Sequence, residues 1–159
     1  EIRRTMRIRE GDPLEIFTTR DGEVIFKKYS LIGGLEDFAA QFCDTLARSS
    51  EFTAVITDRD SVIATAGPDK RDLIGRPLTS EMEQLMDGRS IYQRSRGDAA
   101  LPVCQGNDHL IAATAAPILC QGDVLGLVLF AAGEGQYPDE SEYKLAQTVS
   151  SFLGKHMES

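Results

Sequence analysis

Thiol and imidazole chemistry are scarce in this chain. Its 159 residues hold three cysteines, Cys43, Cys104 and Cys120, and two histidines, His109 and His156. An odd, scattered cysteine count without a CxxC pair argues against a disulfide framework and fits a reducing compartment. Cys104 and His109 are only a pair, too few ligands for a structural zinc, so neither a metal nor a cofactor is expected. No apolar run approaches the ~20 residues that cross a bilayer, and no leader pattern opens the chain, so a soluble, cytoplasmic protein is expected. Catalytic and nucleotide signatures are missing as well: there is no GxGxxG, GxxxxGK[ST], HExxH or GxSxG. Gly133-Glu134-Gly135 lacks the phosphate-cradling run. The acidic pairs Asp58/Asp60 and Glu81/Glu83 fall in a turn and on a helix, where solvation explains them. No enzyme is expected. Internal repeats and low-complexity tracts are also absent.

What is present is enough apolar material for a core, 42% of the residues, in a length that suits one domain with a small appendage. The net charge of −8 is unevenly spread. Residues 1–29 carry seven basic groups and six acidic ones, a net of +1. Residues 30–159 carry ten and nineteen, a net of −9. An acidic body repels nucleic acid at long range, so any DNA contact must come from the N-terminal piece. Glu1-Ile2-Arg3-Arg4 reads like the middle of an amphipathic helix, and an upstream segment is expected before it.

Along the chain, Ile2, Met6 and Ile8 make one apolar side of a short helical turn among arginines, which Gly11-Asp12-Pro13 ends. Leu14-Glu15-Ile16-Phe17 and Val24-Ile25-Phe26-Lys27-Lys28-Tyr29 read as strands around Asp21-Gly22, a strong hairpin signal. A lone hairpin is marginal in water, so this one must pair with something. Residues 30–34 are a linker. Leu35, Phe38, Ala39, Phe42 and Leu46 then place a helix over 35–49. Two strands, 52–57 and 61–66, follow. A helix over about 80–86 opens with Ser80 and Glu83 in capping-box spacing. Residues 87–108 are poorly legible, with one strand candidate near Ile91-Tyr92. Residues 109–119 and 124–132 are the most apolar strands, of the kind buried on both faces at a sheet centre. A last helix over 139–157 carries Leu145, Val149, Phe152, Leu153 and His156 as its stripe. The order predicts an α+β domain, an antiparallel sheet with helices covering one face.

Among candidate site residues, Cys43 reads as a small core residue and Cys120 as partly exposed beside a turn. Cys104 has Arg94 and Arg96 nearby in sequence, able to lower a thiol pKa. The cluster Arg3, Arg4, Arg7 and Arg9 is either a solvated helix face or a row suited to phosphate contact and guanine readout.

The segment Glu1-Ile2-Arg3-Arg4-Thr5-Met6-Arg7-Ile8, with its Gly11-Asp12 turn, two strands and the Lys27-Lys28-Tyr29 tail, resembles the second half of an AbrB-type swapped-hairpin DNA-binding domain. Residues 35–159 resemble a GAF domain, on Ala116-Pro117-Ile118 followed by Gly122-Asp123-Val124-Leu125-Gly126-Leu127-Val128-Leu129-Phe130. An AbrB module joined to a GAF domain of this length resembles the sporulation transcription regulators of spore-forming Firmicutes.

The resemblance implies a homodimer of interleaved hairpins that meets DNA through Arg3 and Arg4. Arg7 stands where the family often has Gly, so its contact extends the pattern. It also implies a second dimer contact through the GAF terminal helices, hence a tetramer. A small ligand is expected in the GAF pocket, bordered by Arg94, Arg96, Cys104 and His109. Two rivals remain: a GAF-fold thiol enzyme resembling methionine sulfoxide reductase, and a pure oligomerisation module with a closed core.

Overall fold

The computed structural model describes residues 14–18, 24–28, 36–68 and 72–157. Strands β1 (Leu14–Thr18) and β2 (Val24–Lys28) pair antiparallel in register from Leu14 opposite Lys28 to Thr18 opposite Val24. The Asp21-Gly22 turn, the N-terminal helical turn and the 30–34 linker lie outside the described residues.

The body begins with helix α1 (Glu36–Arg48) and strands β3 (Thr53–Thr57) and β4 (Val62–Ala66). Helix α2 (Ser80–Gly88) and the short strands β5 (Tyr92–Gln93) and β6 (Pro102–Cys104) follow. The long hairpin β7 (Asn107–Cys120) and β8 (Asp123–Ala132) leads into helix α3 (Glu140–His156). The six body strands form one antiparallel sheet in the order β4-β3-β8-β7-β5, with β6 also on β7. The two most apolar strands are thus central, as their composition predicts.

Alternation along these strands decides how the sheet is covered, because successive side chains leave a strand on opposite faces. Ala54, Ile56, Val128, Phe130 and Ala132 join a core with Ala39, Cys43 and Leu46 of α1 and Ala146, Val149 and Leu153 of α3. Their alternates, Val55, Leu127, Leu129 and Ala131, join a second core with Leu73, Leu78, Met82, Met86, Val103 and Cys104. The expectation of one covered face is therefore corrected: α1 and α3 cover one side, and α2 with β6 covers the other. The near-continuous apolar runs of β7 and β8 carry that signal.

Local chemistry sets the joints. Gln121 and Gly122 both have positive φ, 51° and 87°, so a two-residue turn closes the β7–β8 hairpin at Cys120 and Asp123. Asp139 caps α3 by accepting from Ser141 N at 2.8 Å, while Glu142 reaches back to Asp139 N at 2.8 Å. The capping box expected at Ser80 and Glu83 is not the one found. Thr79 is the N-cap of α2 and accepts from Met82 N, because its side chain and backbone are also tied to β6 through Pro102 O and Val103 O.

Candidate functional site

The residues that sequence reasoning gathers around a ligand do not form one cluster. Cys104 ends β6 beneath α2 and is fully buried. Burial pushes its thiol up, and the cation that partly opposes this is Arg76, not Arg94 or Arg96. The predicted lowering of this thiol is thereby corrected: proximity in sequence does not survive folding, since β6 runs antiparallel to β7 and turns away from residues 94–96. His109 is exposed near the start of β7, with its backbone N–H donating to Asn107 Oδ1 at 3.1 Å.

Arg94 and Arg96 do meet, on a residue that no local pattern singles out. Arg94 follows β5 and continues its ladder, donating its N–H to Ala113 O at 2.8 Å. Its guanidinium donates through Nη1 to Glu134 O at 2.7 Å and lies 4.9 Å from the centroid of the Tyr137 ring. The Arg96 guanidinium lies 5.5 Å from the same centroid. Both distances are in cation–π range. Two arginines at i and i+2 followed by an aromatic in a glycine-rich loop is too loose a pattern to reveal this from sequence.

The side of the sheet under α2 is filled by apolar groups. Leu73, Met82 and Met86 are fully buried among Val103, Leu127 and Leu129. Two of the thiols are equally enclosed: beside Cys104, Cys43 is buried on the inner side of α1, and burial, reinforced by Asp44, pushes it up to about 12. Thiolate is the reactive form of cysteine, so neither buried sulfur is poised as a nucleophile. Among the described residues no group of three or more His, Cys, Asp or Glu is placed to hold a metal. No helix among them is long and apolar enough to cross a membrane.

The opposite side carries an aromatic surface. Phe38 on α1 is 44% exposed and Phe152 on α3 is 46% exposed. Phe38 packs on Phe42 with centroids 5.9 Å apart and stacks on His156 at 5.5 Å. Phe152 meets Phe42 at 5.3 Å and stacks on His156 at 6.0 Å. Sequence periodicity assigns these rings to the helices' buried stripes; the structure leaves two of them facing outward across the α1–α3 seam. Arg3, Arg4 and Arg7 lie outside the described residues.

Comparison with known proteins bears on the whole chain. Residues 34–158 match the family model described as "Stage V sporulation protein T C-terminal, transcription factor". The chain belongs to the stage V sporulation protein T family. It is 42% identical over 158 residues to Stage V sporulation protein T of Bacillus subtilis (strain 168), covering 99% of this chain and 88% of the relative.

Solved structures at low identity share the fold. A GAF domain/HD domain protein from Geobacter sulfurreducens aligns with a TM-score of 0.56 at 15% identity, over 82% of this chain and 99% of that one. The phycocyanobilin-bound GAF domain of a cyanobacterial phytochrome gives 0.54 at 19%, over 78% and 84%. A type II free methionine-R-sulfoxide reductase from Thermoplasma acidophilum gives 0.58 at 9%, over 80% and 95%. The body is a GAF fold, and the expected α+β class holds. The reductase likeness concerns the fold alone.

Proposed function

We propose that this chain is a DNA-binding regulator of sporulation genes, acting in the cytoplasm, in which residues 1–29 supply part of an AbrB-type module. Residues 30–34 are its linker and residues 35–159 its GAF-like sensor and dimerisation domain. The observation that carries the reading is the 42% identity spanning 99% of the chain, which takes in the arginine-rich start as well as the body. Charge supports the division of labour: the first 29 residues are net +1 and the rest net −9. Arg3 and Arg4, with Arg7 extending the row, present forked guanidinium groups that suit phosphates and guanine edges.

The aromatic surface on α1 and α3 supports the second part. Large exposed rings grouped on one face mark an association site, and a second copy of the same helices buries them symmetrically. Pairing through the hairpins and again through these helices makes a tetramer. A small ligand on the GAF body shifts the α1–α3 pairing, and with it the spacing of the DNA-binding arms. The burial of Cys43 and Cys104 disfavours the thiol-enzyme alternative.

The test is DNA affinity as a function of salt for the full-length protein and its Arg3→Ala/Arg4→Ala variant. Removing one phosphate contact should flatten the log–log salt slope by about 0.9. An unchanged slope and affinity would show that the arginines are scaffold.

A further inference from the structure

One margin of the sheet holds polar groups that the protein itself does not satisfy. Tyr92 and Arg94 are alternate residues, so their side chains leave the sheet on the same face. Tyr92 packs against the apolar core beneath α2. Its hydroxyl and the Arg94 Nε are both buried without a hydrogen-bond partner. Arg94 is only 5% exposed. Its guanidinium has one neutral carbonyl, Glu134 O, and the face of Tyr137, which Arg96 shares.

Counter-charge is what this arrangement lacks. Among the described residues, no carboxylate comes within ion-pair distance of Arg94 or Arg96. Asp98, the acid whose charge is felt at Tyr92, holds Ser95 N–H at 2.8 Å through its carboxylate. A guanidinium taken out of water is normally compensated by an opposite charge or a full set of acceptors. The buried Arg94 has neither, and the exposed Arg96 converges with it on one ring.

We propose that Arg94, Arg96 and Tyr92 form a binding site for the carboxylate or phosphate group of a small soluble metabolite, with Tyr137 as its floor. The proposal rests on the reading of Arg94 and Arg96 as ligand-binding residues and adds the chemical class and the two tyrosines. A planar or tetrahedral oxyanion accepts from forked guanidinium donors and from a phenol at once. The site lies at the sheet margin because the space under α2 is already filled by Leu73, Met82 and Met86. DNA is a poor occupant, since the body is net −9 and Arg94 is enclosed.

The position links occupancy to the helices. Tyr137 precedes the Asp139 cap of α3 by two residues, and Gln93 Nε2 donates to Asp139 O at 3.1 Å. An anion that draws Arg94, Arg96 and Tyr137 together therefore acts at the start of the helix that carries Phe152 and His156.

Tyrosine emission can report the site directly. The chain has no tryptophan, and Tyr92 and Tyr137 are two of its four tyrosines. Inorganic phosphate and, separately, succinate are titrated into the full-length protein at ionic strength held constant with chloride. A saturable response to at least one is expected, and the stronger probe identifies phosphate or carboxylate as the preferred group. Arg96→Gln, at an exposed position, and Arg94→Lys, which keeps charge but loses the fork, should each weaken it about tenfold. Arg89→Gln, beside the Gly122 turn, should not. No saturable response to either probe, or equal responses in wild type, Arg94→Lys and Arg96→Gln, overturns the proposal. DNA affinity of the same samples separates the two ideas: phosphate saturation without any DNA binding would sink the regulator reading and leave the anion site standing.

Discussion

Cys43, its thiol pushed up to about 12 by burial, is protonated and enclosed in the native protein. Cys104 is too, because desolvation outweighs the weaker pull of Arg76. Cys120, half-buried at the β7–β8 turn, is the one of the three within reach of solvent. A thiol-reactive chromophore at pH 8 should therefore label one site quickly, at Cys120. The other two should react only as fast as the protein opens, and fully in denaturant. Rapid labelling of Cys104 in the native state would contradict its burial. The small-core reading of Cys43 follows from its place on a helical stripe. The burial of Cys104 has no such local signal, because its surroundings are Leu78, Met82 and Arg76, drawn from segments that local pattern cannot bring together. The same limit hides Tyr137, which meets Arg94 and Arg96 only across the sheet margin.

At the scale of elements, two glycines fix close approaches, one of α3 to the sheet and one between the neighbouring strands β3 and β8. A Cβ on Gly154 in α3 would collide with Leu119 O, and one on Gly126 in β8 would collide with Thr57 O. Helix propensity alone favours alanine over glycine by about 1 kcal/mol. The backbone collision reverses that balance, so Gly154→Ala should lose roughly 1–3 kcal/mol in urea unfolding. Gly88, the last residue of α2, has nothing within 4 Å of its would-be Cβ. Gly88→Ala should therefore gain about 0.4–1 kcal/mol. Opposite signs for two helical glycines follow from packing; equal signs would mean that α3 does not rest on β7.

Most elements are readable in the sequence because their periodicity is strong. The α1 and α3 stripes, the hairpin around Gly122 and the Asp139 end of α3 all carry local signals. Residues 87–108 are not legible, since β5 and β6 span only two and three residues and owe their pairing to β7. The Thr79 cap escapes local pattern for a related reason: its partners in β6 are more than twenty residues away.

For the whole molecule, the decisive feature is that the two faces of one sheet are covered differently. The α2 side is closed over apolar groups and ends in the arginine–tyrosine margin. The α1–α3 side ends in exposed rings, which the proposed second copy would cover. Strand alternation accounts for both coverings, but not for which rings stay outside, since Phe38 and Phe152 fit a helical stripe as well as Leu46 or Leu153 does. Phe38→Ala/Phe152→Ala should leave thermal stability nearly unchanged, the rings being half exposed, and should halve the sedimenting mass. Unchanged mass would place the body contact elsewhere.

The central claim is that this body holds the DNA-binding arms in pairs, and DNA affinity of the Phe38→Ala/Phe152→Ala protein tests it most directly. On DNA carrying two sites in tandem, breaking one dimer interface removes the effective concentration of the second arm pair, and affinity should fall roughly a hundredfold while single-site affinity holds. Equal affinity of variant and wild type for the tandem DNA, with the mass halved, would contradict the account.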